Sequence, residues 1–120
     1  DILCLQEHKI PLSQLSSRSE PRQCSTIPGY ESFWSCCVSQ EKNKRGFNGV
    51  VTYVKQQHVG TQKANGTCAL GIPELDTQGR CVMTDHGQFV IFNVYVPALG
   101  GQGLSVRMRF LRALRKAAHY

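Results

Sequence analysis

The nine residues from Gln88 to Val96, QFVIFNVYV, constrain this chain more than any other stretch. Val90, Phe92, Val94 and Val96 alternate with Phe89, Ile91, Asn93 and Tyr95, the period of a β-strand with two unlike faces. The first face is wholly apolar. The second ends in Asn93 and Tyr95, whose amide and phenol a dry core accepts only with hydrogen-bond partners. Gly79 to Asp85 precedes this run across His86-Gly87, and the pair predicts a β-hairpin. Pro97 ends the strand, and Ala98 to Gly103 reads as a glycine-rich turn. Ser105 is then placed to cap a helix running to the end of the chain. That helix carries Phe110, Leu111, Leu114, Ala117 and Ala118 on one side. Arg107, Arg109, Arg112, Arg115 and Lys116 cover most of the remainder, a pattern that suits a solvated face or a DNA-facing one.

The opening of the chain is the second informative run. Ile2 to Leu5 is continuously apolar and gives way at once to Gln6, Glu7, His8 and Lys9. Such a run predicts a buried strand of a mostly parallel sheet, where chemistry sits just past the carboxyl ends of the strands. Glu7 is then a carboxylate delivered to the mouth of a sheet, with Lys9 one alternation step away on the same face. The plainer alternative is a strand that turns polar as it leaves the core.

Pro11 to Gln23 is a polar, serine-rich surface loop with room for one short helical turn. Ile27-Pro28-Gly29-Tyr30 turns into the aromatic, β-rich run Ser32 to Val38, and a basic loop follows from Gln40 to Gly46. Gly46-Phe47-Asn48-Gly49 breaks that loop and starts the strand Val50 to Val54. Two glycines around an aromatic let a backbone approach a ligand with the ring free to stack or wedge, or else make a hairpin bend. Lys55 to Leu75 is mixed and loop-like. Its Asn65-Gly66-Thr67 has the form of a glycosylation sequon but is foremost a turn.

Size and charge narrow the class. At 120 residues, 41% hydrophobic and 18% charged, the chain is globular and the size of one domain. Fourteen Lys and Arg against eight Asp and Glu give a net charge of +6, which favours polyanionic partners, nucleic acid before acidic membrane. The six cysteines show no CxxC and no zinc-type spacing, and Cys4 and Cys81 fall inside strands, so they read as free thiols. No apolar run approaches 18 residues, the length a membrane-crossing helix needs. The chain opens inside a strand and closes without a helix stop signal, so it is expected to be an internal piece of a longer domain.

Three motifs stand in order: Leu5-Gln6-Glu7-His8-Lys9, Gly46-Phe47-Asn48-Gly49-Val50 and Asn93-Val94-Tyr95-Val96-Pro97. They resemble LQE-x-K, G-[YF]-x-G-V and N-x-Y-x-P of the endonuclease/exonuclease/phosphatase superfamily, specifically its exonuclease III-like abasic-site (AP) endonucleases. The Gly79-Arg80-Cys81…Thr84-Asp85-His86-Gly87 hairpin looks most like the second eukaryotic type. The resemblance implies an α/β fold, the N-terminal half of a four-layer sandwich of two mixed sheets with helices outside. Residues 1–120 would then be a partial domain, lacking its first strand and its C-terminal half.

The same resemblance implies roles. Glu7 would bind the catalytic divalent cation, Mg²⁺ or alternatively Mn²⁺, a hard ion suited to few carboxylates and phosphate oxygens. Lys9 would hold the metal carboxylates in orientation, and Tyr95 would donate its phenol hydrogen bond to the scissile phosphate. Asn93 would support that face. Phe47, with Gly46, would occupy the aromatic loop at the DNA minor groove, and Arg45 and Arg80 would contact the backbone. The implied partner is double-stranded DNA with abasic sites or damaged 3′ ends, and no membrane. The implied compartment is the nucleus, with the mitochondrion second.

Departures from the family pattern matter too. The family's metal-site Asn would precede Asp1, and its Asp-x-Asn and closing Asp-His motifs would follow Tyr120. Thr84-Asp85-His86 imitates the closing pair but sits in a hairpin turn, where Asp and His are ordinary. Position 98 is Ala where many relatives place Asn, which puts one DNA contact in doubt. The 120-residue chain alone is therefore expected to be inactive. Two rivals remain: a retrotransposon-type endonuclease of the same superfamily, and a non-catalytic truncated DNA- or partner-binding module.

Overall fold

The most deeply buried strand of the structure is the middle strand of its sheet. In a computed structural model, which describes residues 1–16, 25–38, 46–57, 60–100 and 103–119, β3 (Val50–Lys55) lies between β1 (Ile2–Gln6) and β2 (Tyr30–Ser35). Val50, Val51, Thr52, Tyr53 and Val54 are all at most 4% exposed, so both faces of β3 are covered. β-branched and aromatic side chains fill such a position because they pack well on a pleated surface with neighbours on both sides.

The run at the start of the chain behaves differently from its prediction. β1 pairs antiparallel with β3, in the register Ile2 with Val54 through Gln6 with Val50, and among the described residues it is an edge strand of its sheet. Leu3 and Leu5 stay 44% and 42% exposed, so the described residues leave one face of the strand uncovered. An apolar run alone cannot distinguish an edge strand from a central one, because burial depends on what lies beside and above it. β2 also pairs antiparallel with β3. Among the described residues both sheets are wholly antiparallel, not mixed.

The second sheet has the order β4-β5-β6. β5 (Cys81–Asp85) and β6 (Val90–Val94) form the expected hairpin, with Asp85 opposite Val90, so the connection is the four residues His86 to Phe89. β4 (Lys63–Asn65) adds antiparallel to β5, and α2 (Pro73–Asp76) is a single turn of helix. The stretch Lys55 to Leu75 is therefore more ordered than its sequence suggested. Buried Asp76 organises it, its carboxylate accepting the backbone N–H groups of Leu70 and Ile72 at 2.9 Å. The Asn65-Gly66-Thr67 turn is as read: Asn65 Oδ1 accepts the N–H groups of Thr67 and Cys68.

The long helix, here α3 (Gly103–Ala118), starts two residues before the expected cap, so Ser105 lies in its first turn. Its buried stripe is Phe110 and Ala113, with Leu114 partly buried, whereas Ala118 is exposed. The stripe packs with Leu70, Leu75 and Cys81 into one core, flanked by Phe92, Val94 and Val96. The wholly apolar face of β6 thus meets the helix. The opposite face of the hairpin carries Val82, Thr84 and Asn93, all at most 3% exposed, and it meets the first sheet. The described layers are sheet, sheet and helix, an α/β arrangement; α1 (Leu12–Ser16) is a single short turn after β1.

Cys4, Cys36, Cys37, Cys68 and Cys81 are free thiols, as expected. Burial pushes the Cys36 thiol up to about 11 and the Cys81 thiol up to about 12, so both are held protonated and inert. Cys24, Arg45 and most of the two polar loops lie outside the described residues. No helix among the described residues is long and apolar enough to cross a membrane.

Candidate active site

Past Gln6 the β1–β3 ladder changes step. Gln6 pairs with Val50, yet the next bonds run from His8 N–H to Gly49 O (3.2 Å) and from Lys9 N–H to Asn48 O (2.9 Å). Two residues of one strand therefore answer one of the other, and Glu7 is the extra residue of a bulge-like turn. Its φ is +58°, Lys9 has φ +57° and Asn48 has φ +53°, all in the left-handed region that non-glycine residues seldom occupy. Holding a bulky residue there costs on the order of 1–3 kcal/mol, and such bulges re-aim a side chain out of the ladder. Glu7 and Lys9 are both exposed, but they do not share a strand face by simple alternation as the sequence reading had it.

Re-aiming brings Glu7 to Tyr95. The Tyr95 hydroxyl donates a short hydrogen bond to Glu7 Oε1, across 88 positions of sequence and between the two sheets. That bond, with a smaller contribution from burial, holds the phenol above its ordinary range, so it remains a proton donor at neutral pH. Arg80 completes the cluster from the start of β5. Its Nη1 donates to Tyr95 O at 3.1 Å, its Nε donates to Gln78 Oε1 at 2.9 Å, and its guanidinium lies 5.1 Å from the Tyr95 ring centroid. Burial lowers the Arg80 pKa, and the negative ends of Tyr95, Cys37 and Glu7 pull it back.

Asn93, two residues before Tyr95, is 3% exposed and fully engaged. Its Nδ2 donates to Val51 O (2.9 Å), Thr52 Oγ1 (3.2 Å) and, at a longer 3.4 Å, Leu5 O. Its Oδ1 accepts the Gln6 side-chain amide at 2.6 Å. These are the partners that the alternation of β6 required of it.

The Gly46–Gly49 loop is tied to both neighbours. Asn48 Nδ2 donates to Gln78 O and Gly49 N–H to Gly79 O, both at 2.9 Å. Phe47 stands 55% exposed beside the Glu7 turn. Sequence reasoning missed what anchors this junction: His8. Its ring meets Trp34 edge-on at 4.8 Å, and its Nδ1 accepts the Ile10 N–H at 2.9 Å, which leaves Nε2 to donate to Ser35 O at 3.2 Å. Burial lowers its pKa, so the ring is neutral. Gly49, at φ +94°, is needed here because a Cβ would sit inside the His8 ring. No periodic pattern flags His8 or Gln78; only the folded loops bring them in.

Tyr95 thus joins Glu7 and Arg80 directly, with Lys9 and Phe47 exposed on the two adjoining loop segments and Asn93 buried two residues before Tyr95. Thr84-Asp85-His86 lies apart from them. It closes the other end of the hairpin, four residues along a strand, roughly 13 Å from Arg80. There His86 bonds Thr84 Oγ1 and Gly60 O at 2.9 Å, and Asp85 Oδ1 accepts the Gly87 N–H. Both residues serve the turn.

The sequence is similar over most of its length to several curated proteins. Recombination repair protein 1 of Drosophila melanogaster is 32% identical over 112 residues, 92% of this chain and 14% of that protein. The DNA-(apurinic or apyrimidinic site) endonuclease of Dictyostelium discoideum is 33% identical over 104 residues, 87% of this chain and 24% of the relative. The chain is related to the exonuclease III-like AP endonucleases. The DNA-(apurinic or apyrimidinic site) endonuclease 2 of Schizosaccharomyces pombe is 26% identical over 97% of the chain and 26% of its own length. The second eukaryotic type is thus among the relatives, at lower identity than the first two. The chain spans only a quarter or less of the first two relatives, and no family model matches it.

Proposed function

We propose that this chain is part of a metal-dependent DNA-repair nuclease that cuts the phosphodiester on the 5′ side of abasic sites and can trim damaged 3′ ends. The observation that carries the reading is the hydrogen bond from Tyr95 to Glu7. It sets a proton donor and a carboxylate together on an exposed surface, next to an aromatic loop tip and an arginine. The names of the AP endonuclease relatives support the substrate. The rest of the domain would complete the four-layer sandwich, and the protein would act where DNA is held, in the nucleus and mitochondrion.

The donor set suits a hard divalent cation in part. Among the described residues no three His, Cys, Asp or Glu side chains cluster, so Glu7 is one carboxylate ligand and phosphate, water and other residues would supply the remainder. Mg²⁺ or Mn²⁺ bound there supplies charge stabilisation for the phosphate and the leaving 3′ oxygen. The chain's own residues then divide the work. Tyr95 donates its phenol hydrogen to a phosphate oxygen in competition with Glu7, stabilising charge that grows in the transition state. Lys9 adds positive charge beside the carboxylate. Asn93 holds the strand that delivers Tyr95, Phe47 and Gly46 meet the minor groove, and Arg80 and Arg45 meet the backbone.

The test is nicking of an abasic duplex by the full-length protein that contains this chain. EDTA abolishes the activity and Mg²⁺ restores it; Glu7→Gln removes most of it. Undiminished nicking by Glu7→Gln, in assays where EDTA silences the wild type, sinks the metal assignment.

A further inference from the structure

Glu7 follows an edge strand of one sheet, and Tyr95 follows an edge strand of the other. Packing between two sheets is mostly non-directional, so it does not by itself fix how far apart two such edges lie. A directional link does. We propose that Gln6 is a positioning residue: with Asn93 it forms a cross-sheet clamp that sets Glu7 against Tyr95, an inference that rests on the catalytic reading of those two residues.

The clamp joins the residue immediately before Glu7 to the residue two before Tyr95, through Gln6 Nε2 donating to Asn93 Oδ1 at 2.6 Å. Asn93 cannot turn over to make the same link in reverse. Val51 O at 2.9 Å is an acceptor only, so it fixes Nδ2 on that side and leaves Oδ1 toward Gln6. Gln6 must therefore present a donor. The link is anchored at both ends: β1 is laddered to β3, and Asn93 reaches the same β3 through Val51 and Thr52. A shift of the sheets would have to break this set together. Gln6 is exposed whereas Asn93 is buried, so Gln6 can be replaced without opening the core.

The experiment uses the full-length protein. Gln6→Met keeps the length and removes the donor; Gln6→Glu keeps the shape and sets acceptor against acceptor. Both lower kcat about ten- to a hundredfold with KM for abasic duplex changed less than about twofold, as a small misplacement of reacting groups does. In a Tyr95→Phe background, Gln6→Met costs less than about twofold more, because the contact it maintains is already gone. A purely structural Gln6 gives the same loss in both backgrounds and overturns the proposal. So does a loss that falls on KM alone, which would make Gln6 a DNA contact. A readout independent of activity is fluorine NMR of 3-fluorotyrosine-labelled protein, with Tyr95 assigned by its disappearance in Tyr95→Phe. Gln6→Met shifts or broadens the Tyr95 signal and leaves those of Tyr30 and Tyr53; an unmoved Tyr95 signal refutes the clamp. Full activity of Tyr95→Phe would overturn the functional reading instead, and the fluorine measurement would still decide the clamp.

Discussion

The two ends of the β5–β6 hairpin carry similar chemistry and do unlike things. At one end Tyr95 joins Arg80 to Glu7; at the other Thr84, Asp85 and His86 make hydrogen bonds of their own. The difference is in how many separate segments arrive. The far end gathers the hairpin's own turn and the nearby Gly60–Lys63 segment, and its polar atoms are spent holding them. The near end gathers the Glu7 turn, the Phe47 loop, the Gln78–Arg80 segment and Tyr95, and it leaves a carboxylate exposed. Acid, hydroxyl and imidazole in one turn are ordinary turn chemistry. A carboxylate, a phenol and a guanidinium brought from distant strands, at a cost in backbone strain, are what the proposed function rests on.

Substitutions at the two ends test that contrast. Tyr95→Phe and Glu7→Gln should each reduce nicking about 10²–10³-fold, the usual effect of removing one preorganised group at a developing charge, measured as kcat on abasic duplex. Asp85→Asn should leave it within about twofold. Equal losses at both ends would erase the distinction.

The next effect is on stability. Gly49→Ala places a Cβ against the neutral His8 ring at φ +94°, so it should cost about 2–4 kcal/mol in urea denaturation. Gly60→Ala, where a Cβ meets nothing, should cost no more than about 0.5 kcal/mol. Phe47→Ala sharpens the comparison from the ligand side. Its 55% exposure predicts unchanged stability, with duplex affinity about tenfold weaker in a titration at fixed salt. At the far turn, His86→Ala should lose about 1 kcal/mol by unpairing buried Thr84, with nicking unchanged.

Several of these features were legible before any fold was known. Alternation along β6 separated the helix-facing Phe92 and Val94 from Asn93 and Tyr95, and it demanded partners for both polar side chains. The Gly46–Gly49 loop and the stripe of α3 were equally plain, though Ala113 was overlooked beside the larger Phe110 and Leu114. The opening run was not. Ile2 to Leu5 and Val50 to Val54 are both apolar, and only neighbours made one an edge and the other the centre of the sheet.

The sequence by itself determined which residues could do chemistry and, along β6, on which strand face they stand, because side-chain type and a two-residue period are local properties. It put Glu7 at the end of a strand and Tyr95 on the polar face of another. The tertiary structure alone decided that they meet. That meeting depends on a bulge with left-handed backbone at Glu7, on His8 filling the space that Gly49 leaves, and on Gln6 reaching Asn93 across two sheets. Each of these joins residues dozens of positions apart, and no window along the chain contains both partners.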